Sequence, residues 1–324
     1  MVSVLGIGNA LVDVLIRLDS DDVLKKYHLG KGSMQLVEAD LSTEILSNTT
    51  QFHQEHSSGG SAANTIHGLA NLGIKTSFIG KVGDDSKGEF FTKDMQKVGI
   101  NPLLFKGSTN TGCAIALISP DTERTFATYL GAAIELSPED LSHKLFNGYD
   151  YFHIEGYLVQ NQKLIERALE LAKANQLTIS LDLASYNVVE QNLDFLKEMV
   201  KKYVDVVFAN EEEARSFTGK EPEEAINILA ETCSIAVVKT GKNGSLVKEN
   251  ENLYPIQPIK ATSFDTTGAG DLYASGFLFG LSQGFSLDKC GSIGSVLAGK
   301  VIEILGAKLH KNAWDESKSL ISGL

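Results

Sequence analysis

The chain has 324 residues, 43% apolar and 22% charged, with six prolines and no low-complexity Gly/Ser stretch. Such a chain buries about three quarters of its unfolded surface without disulfide or metal staples, and at roughly 150 residues per domain it makes two domains or one large α/β domain with an appendage. With 41 acidic residues against 29 basic ones the net charge is −12, and the pairs Lys25-Lys26 and Lys201-Lys202 are too short for a basic stripe; nucleic acid and anionic membrane surfaces are therefore excluded as expected partners.

Residues 2–8 read as a buried strand running into a glycine turn. The segment 1–16 is apolar, but Asn9 and Asp13 interrupt it and no basic residues precede it, which argues against a signal peptide. Short apolar or alternating stretches at 14–18 and 33–37 predict strands. Residues 61–72 predict a small-residue helix stopped by Gly73. A strand follows at 76–82 and a helix at 87–98, stopped by Gly99. Residues 111–119 and 124–130 predict a hairpin around Pro120-Asp121.

After Pro138 strands and helices alternate. Strands are predicted at 149–154, 177–183, 204–209 and 235–239, and helices at 160–175, 190–201, 211–217 and 223–232. Residues 244–248 and 252–256 predict an antiparallel hairpin, and two long helices follow near 269–283 and 287–305. Such alternation predicts a parallel sheet with helices on both faces. The β-only pieces near 14–37 and 108–130 break this rhythm and predict a small sheet projecting from the body. No apolar run of about 18 residues exists, so no membrane span is expected. Cys113, Cys233 and Cys290 are odd in number and far apart. They form no zinc pattern and fit a reducing, cytoplasmic compartment.

Several motifs are absent. There is no Gly-x4-Gly-Lys-Ser/Thr phosphate loop and no Gly-x-Ser-x-Gly elbow. Gly6-x-Gly8 lacks the third glycine of a dinucleotide fingerprint. His53-x-x-His56 lacks the glutamate of a zinc protease and reads as a polar loop.

The strongest signal is Asp265-Thr266-Thr267-Gly268-Ala269-Gly270-Asp271, leading into an apolar helix. Glycines at 268 and 270 free the backbone to turn N–H groups inward, and the open amides of a helix start form an anion site. Asp271 then lies in the first helical turn. A carboxylate beside a phosphate site repels it unless it has another task, such as taking the proton of an attacking hydroxyl. The alternative is a glycine turn capped by Asp.

A second signal is Gly59-Gly60-Ser61-Ala62-Ala63-Asn64. Glycines ahead of a helix admit a ligand close to the backbone, and Asn64 offers a donor and an acceptor to sugar hydroxyls. Tight helix packing is the alternative. Third, Gly8-Asn9-Ala10-Leu11-Val12-Asp13 places Asn9 and Asp13 at the carboxyl end of the first strand, where open α/β sheets bind ligands. A carboxylate there can accept two hydrogen bonds from a vicinal diol, although Asn and Asp are also common turn formers.

These strings resemble the PfkB (ribokinase-like) family of carbohydrate and nucleoside kinases. Residues 59–73 match its first signature and 265–278 its second, and the resemblance covers essentially the whole chain. The N-terminal Gly6–Asp13 string, the Gly59–Asn64 block and Thr128-Tyr129-Leu130-Gly131-Ala132 look like the branch containing adenosine kinases. The resemblance implies a three-layer α/β/α ribokinase-like fold with a mostly parallel central sheet and a small β-sheet lid, a single domain whose lid spans about 14–38 and 108–130. It casts Asp271 as catalytic base and the backbone of Gly268, Ala269 and Gly270 as the anion hole. Asn9, Asp13, Gly59, Gly60 and Asn64 fall on the substrate side, with Glu155 at a substrate-side or supporting position. Asn210-Glu211-Glu212-Glu213 resembles the family's Asn-x-x-Glu, whose Asn210 and Glu213 organise Mg²⁺ and phosphate; a plain acidic helix start is the alternative. Lys239, Thr240, Gly241 and Gly244 look like the nucleotide-side loop. Asp265, Thr267 and Gly306 overlap positions that bind a monovalent cation such as K⁺ in some relatives.

The implied activity is an ATP-dependent phosphotransfer to the primary hydroxyl of a ribosyl nucleoside or a free sugar of the ribose or fructose kind. A non-catalytic sugar- or nucleoside-binding regulator is the rival, and the intact Asp271 with both glycines speaks against it. Met34, Leu36 and Tyr129 could supply an apolar slot for a nucleoside base or simply lid core. No Arg/Lys cluster near the lid suggests a second phosphate on the acceptor. Relatives occur as monomers and as dimers joined through the lid.

Overall fold

The computed structural model describes residues 2–121 and 123–324. Its strands are β1 (Ser3–Ile7), β2 (Leu11–Arg17), β3 (Met34–Leu36), β4 (Gln54–Gly59), β5 (Lys75–Val82), β6 (Asn101–Lys106), β7 (Thr111–Ile118), β8 (Arg124–Gly131), β9 (Tyr151–Glu155), β10 (Thr178–Asp182), β11 (Val206–Asn210), β12 (Ile235–Lys239), β13 (Ser245–Glu249) and β14 (Asn252–Ile256). Nine form one sheet in the order β14-β13-β12-β11-β10-β9-β1-β5-β6, and five form a second, β3-β8-β7-β2-β4. In the large sheet every neighbouring pair from β12 to β6 is parallel, and only the pairs β12-β13 and β13-β14 are antiparallel.

The buried strands of the large sheet read as apolar runs because helices cover both faces. Val207 and Ala209 of β11 join the core on one face with the helices Gln162–Ala174 and Leu193–Tyr203, while Phe208 turns to the other and meets Phe277 edge-on. Chain order changes direction around β1, which lies between β5 and β9. Ligand crevices of open α/β sheets form at such a switch, beyond the carboxyl ends of the strands.

The smaller sheet takes both β-only stretches. Asp13, expected at the end of the first strand, stands instead within β2 of this sheet. The chain leaves the large sheet at Gly8-Asn9, and the alternation of Leu11, Val12, Val14 and Ile16 starts a new strand three residues earlier than expected. The segment around His56, read as a loop, is edge strand β4, paired antiparallel to β2. The helix expected at 190–201 is broken at Asn192 into Tyr186–Gln191 and Leu193–Tyr203; the Asn192 amide bonds back to the Val188 carbonyl. The helix expected to reach 305 ends at Val301, where the next carbonyl, on Ile302, accepts the N–H groups of Phe264 and Asp265. Edge strand β6 and the helices Asp22–Lys26, Ala39–Ser47 and Lys311–Ser322 were not foreseen. No helix among the described residues is long and apolar enough to cross a membrane, and all three cysteines are free.

Candidate active site

Two helices of small residues meet at the cleft. On Ser61–Asn71, Gly68 leaves room for no more than Ser275 of Ala269–Ser282, whose hydroxyl bonds the Thr65 carbonyl at 2.8 Å. Because the axes come this close, side chains on one helix reach the first turn of the other. Ser61 Oγ donates to Asp271 Oδ1 at 2.7 Å, and Asn64 Nδ2 donates to Oδ2 at 2.9 Å. Both carboxylate oxygens of Asp271 are thus oriented from across the cleft. Burial pushes Asp271 up to about 6, the two hydrogen bonds pull it down, and the Asp182 charge pushes it up again. Ser61 carries no signature by itself, and its role was missed. The buried Asn64 Oδ1 has no partner among the described residues and is an open acceptor.

Gly268 begins the helix with φ +75°. The expected trio of inward amides changes in one member. Ala269 N–H closes a turn on the Thr266 carbonyl at 3.2 Å, so it is not available. Among the described residues the N–H groups of Gly268, Gly270 and Asp271 make no hydrogen bond in the protein, leaving three open donors at a helix start.

On the opposite wall, Gly60 has φ +104°, and a side chain there would collide with the Asn9 carbonyl. Only glycine fits this crossing of the chain ahead of Ser61. Glu155, at the end of β9, accepts from Asn9 N–H at 2.9 Å, from Asn9 Nδ2 at 2.5 Å and from Ala62 N–H at 2.9 Å. Its buried carboxylate ties the end of β1 to the start of the helix, and burial pushes it up to about 7. It is a brace of the site rather than a free contact. The Asp13 carboxylate packs against the bare Cα of Gly59 and makes no hydrogen bond to any described residue. Burial pushes it up to about 7, against the pull of Lys308.

Asn210 and Glu213 close a capping box: Asn210 N–H and Nδ2 donate to the two Glu213 oxygens at 2.8 and 2.7 Å, and Glu213 N–H donates to Asn210 Oδ1 at 2.8 Å. The helix-start alternative is realised in full, with a carboxylate that burial and Asp182 push up to about 7. Among the described residues no group of three or more His, Cys, Asp or Glu could hold a metal. Lys239 and Gly241 line the cleft, whereas Thr240 and Gly244 do not. Gly244, at φ +93° against the Ile256 carbonyl, serves the turn into β13.

The monovalent-cation expectation at Asp265, Thr267 and Gly306 does not fit. Asp265 accepts from Thr267 N–H at 2.6 Å and Gly306 N–H at 2.7 Å, and Arg124 of β8 supplies the positive charge at 2.5 Å. Sequence reasoning missed Arg124 as well as Asp182, which receives Lys239 Nζ at 2.8 Å. Burial draws Lys239 down, but Asp182 and Glu213 outweigh it and hold the ammonium above its usual range.

Asp13, Asn64, Asp271, Asn210, Glu213, Asp182 and Lys239, with the open amides at Gly268 and Gly270, face one cleft of about 1650 Å³ between the carboxyl edge of the large sheet and the smaller sheet. Single-ligand pockets hold about 300–1,000 Å³, so this cleft has room for two substrates. Met34, Leu36, Phe126 and Ile134 form an apolar margin of the cleft, and Leu36 shares a register row of the smaller sheet with Thr128, Ala114 and Asp13. Met34 and Leu36 are more than half exposed.

The sequence pattern of the pfkB family carbohydrate kinases matches residues 29–313. The chain is similar to a probable sugar kinase protein from Rhizobium etli, 33% identical over 98% of both chains with a TM-score of 0.88. It is similar as well to the adenosine kinase from Sinorhizobium meliloti, 34% identical over 98% of this chain and 99% of that one, TM-score 0.87. Adenosine kinase 2 of Arabidopsis thaliana is 27% identical over 331 residues, covering 93% of this chain and 94% of the relative. The chain belongs to the pfkB family as an ATP-dependent carbohydrate or nucleoside kinase of the adenosine-kinase-like branch, with a ribokinase-like α/β fold.

Proposed function

We propose that the protein transfers the γ-phosphoryl group of ATP to the primary hydroxyl of a ribosyl nucleoside of the adenosine kind. The observation that carries the acceptor assignment is the apolar margin of Met34, Leu36, Phe126 and Ile134 on the cleft wall formed by the smaller sheet, which also carries Asp13. A bare sugar leaves that surface wet; a planar base covers it. The similarity to adenosine kinases supports the same reading.

ATP lies along the ends of β10 to β12 with its γ-phosphoryl at the open amides of Gly268, Gly270 and Asp271. Asp13 accepts hydrogen bonds from the ribose diol, and Asn64 Oδ1 accepts another hydroxyl. Ser61 and Asn64 aim Asp271 at the primary hydroxyl. Asp271 takes the hydroxyl proton as oxygen attacks the γ-phosphorus and the bond to the β-phosphate oxygen breaks. The open amides receive the developing charge. Asn210 and Glu213 would hold, through water, an Mg²⁺ bound with the phosphates, which would supply further charge neutralisation. The smaller sheet, about 14–38 and 108–130 together with β4, closes as a lid and excludes water as a competing acceptor.

Asp13→Ala tests the acceptor side. Hydrogen bonds to a charged carboxylate contribute about 1.5–3 kcal/mol each, so kcat/KM for adenosine should fall about tenfold or more while ATP affinity holds. A 2′-deoxynucleoside already lacks part of that contact and should lose less. Equal losses for both acceptors would show that Asp13 orders the smaller sheet rather than reading the diol. A panel including ribose and fructose completes the test: preference for a bare sugar overturns the nucleoside assignment.

A further inference from the structure

We propose that Lys308 is a positioning residue of the acceptor site, whose ammonium group, fixed by Asp94 and Ser58, stands as the counter-charge of the Asp13 carboxylate. This rests on the reading above in which Asp13 receives the acceptor's diol. Lys308 lies in the loop between the helices Leu287–Val301 and Lys311–Ser322. Two residues earlier, a Cβ built on Gly306 would stand 3.2 Å from Leu15 Cδ2. Leu15 and Asp13 alternate onto the same face of β2, so the loop packs on the face that carries Asp13. The Lys308 ammonium donates to Asp94 Oδ2 at 2.8 Å and to Ser58 Oγ. The same Asp94 oxygen accepts Ser58 N–H at 3.0 Å and the Ser58 hydroxyl at 2.7 Å. Ser58 precedes Gly59, on whose bare Cα the Asp13 carboxylate rests.

The arrangement supplies charge without occupying the oxygens. Lys308 bonds Asp94 and Ser58, while Asp13 makes no hydrogen bond to any described residue. A cation bonded to Asp13 directly would take an oxygen that the diol needs. The Lys308 side chain is 16% exposed, so its field is little screened. Among the described residues it is the one basic group that acts on Asp13. The other titratable neighbours are Asp271 of the opposite helix, which pushes Asp13 up, and Cys113 of β7, whose thiol burial pushes up to about 11. On the far side of Lys308, burial pushes Asp94 up, but the Lys308 charge and the hydrogen bonds from Lys308 and Ser58 outweigh it and hold Asp94 at about 2. His67 is no rival cation: burial and Lys308 draw it down to about 3, against the pull of Asp94. Burial also draws Lys308 below its usual range, and Asp94 and Asp13 oppose this.

The test follows Asp13 itself by carboxyl ¹³C magnetic resonance between about pH 5 and 9, its signal assigned by its loss in Asp13→Ala. In Lys308→Met the Asp13 titration should move up by about one pH unit from its wild-type position of about 7. Adenosine affinity, measured by calorimetry without ATP, should shift with it. It should be about fivefold weaker than wild type at about pH 7 and within about threefold at about pH 9, where Asp13 is charged in both proteins. Lys308→Arg, which keeps the charge, should leave the titration close to wild type. An unmoved Asp13 titration in Lys308→Met overturns the proposal. So does a loss of adenosine affinity that is equal at every pH, the result of a merely structural tie, provided that Asp13→Ala binds adenosine weakly. Lys308→Met leaves Asp94 unpaired, so Lys308→Met/Asp94→Asn serves where the single variant fails to fold. It should show the same upward shift; a return to the wild-type position would assign the shift to the bare Asp94 charge and overturn the proposal. Asp13→Ala that binds adenosine as tightly as wild type refutes the diol assignment alone, because the Asp13 signal still reads Lys308.

Discussion

Asp271→Asn should lower kcat by about 10²–10⁴ and leave ATP and acceptor affinities close to wild type. The substitution keeps the shape of the side chain and removes the proton acceptor. The amide oxygen of the new side chain can still receive Ser61, and Asn64 can turn its own amide so that its unpartnered Oδ1 accepts from the new amide nitrogen. The site should therefore stay assembled while the chemistry stops. The pH profile gives a second readout. Burial pushes Asp271 up to about 6, and only the ionised form can take a proton. In kcat/KM, which reports the free enzyme, activity should fall as pH drops through about 6, approaching tenfold per unit for this group. The residual rate of Asp271→Asn should lack that limb. Near-native turnover by a folded Asp271→Asn protein would reduce Asp271 to a helix-start residue.

Gly270→Val should cost ATP affinity far more than stability. A Cβ at position 270 meets only the movable tip of Lys239, so the fold can accept it. Replacing glycine by valine early in a helix changes intrinsic propensity by less than about 1 kcal/mol. The branched side chain nevertheless fills the space in front of the open amides and displaces the Lys239 ammonium. A loss of ATP affinity of at least about tenfold is expected, with the melting temperature nearly unchanged. Gly268→Val should behave differently. That residue has φ +75°, and a Cβ there would stand 2.5 Å from the Ala307 Cβ, so both stability and ATP binding should fall. Unchanged ATP affinity in Gly270→Val would show that this turn is a structural one.

What could be read from sequence follows from where the signals lie in the chain. Gly268, Gly270 and Asp271 are contiguous with an apolar helix, so one short window carries the turn, the open amides and the base. Gly60 and Asn64 are legible for the same reason. Asp182 was not: Asp182-Leu183-Ala184-Ser185 has no pattern of its own, and its partner lies 57 residues later, on a strand reached only through the order β10-β11-β12. Arg124 of β8 and Asp265, in the loop ahead of the Ala269–Ser282 helix, meet at a separation no spacing rule reports. Among the elements, β4 was lost because Gln54–Gly59 is polar and lies on an edge, where pairing rather than burial makes the strand. Strand β6 carries Pro102 on the opposite edge of the large sheet and only half-buries its apolar residues. The displacement of Asp13 from the large sheet to the smaller one has one cause: Gly8-Asn9 is a passage between sheets, and a β-rich run on both sides of it reads as one strand and a turn.

Phosphoryl transfer from ATP to a nucleoside's primary hydroxyl is tested most directly by product balance. The protein is incubated with Mg²⁺-ATP and adenosine, ADP is quantified, and the phosphorylated product is located by ³¹P spectroscopy and mass. One nucleoside 5′-monophosphate should form for every ADP released, with no inorganic phosphate above background, since the closed cleft excludes water. ADP accompanied by free phosphate, or a phosphate ester on the 2′- or 3′-oxygen, would contradict the placement of the primary hydroxyl against Asp271.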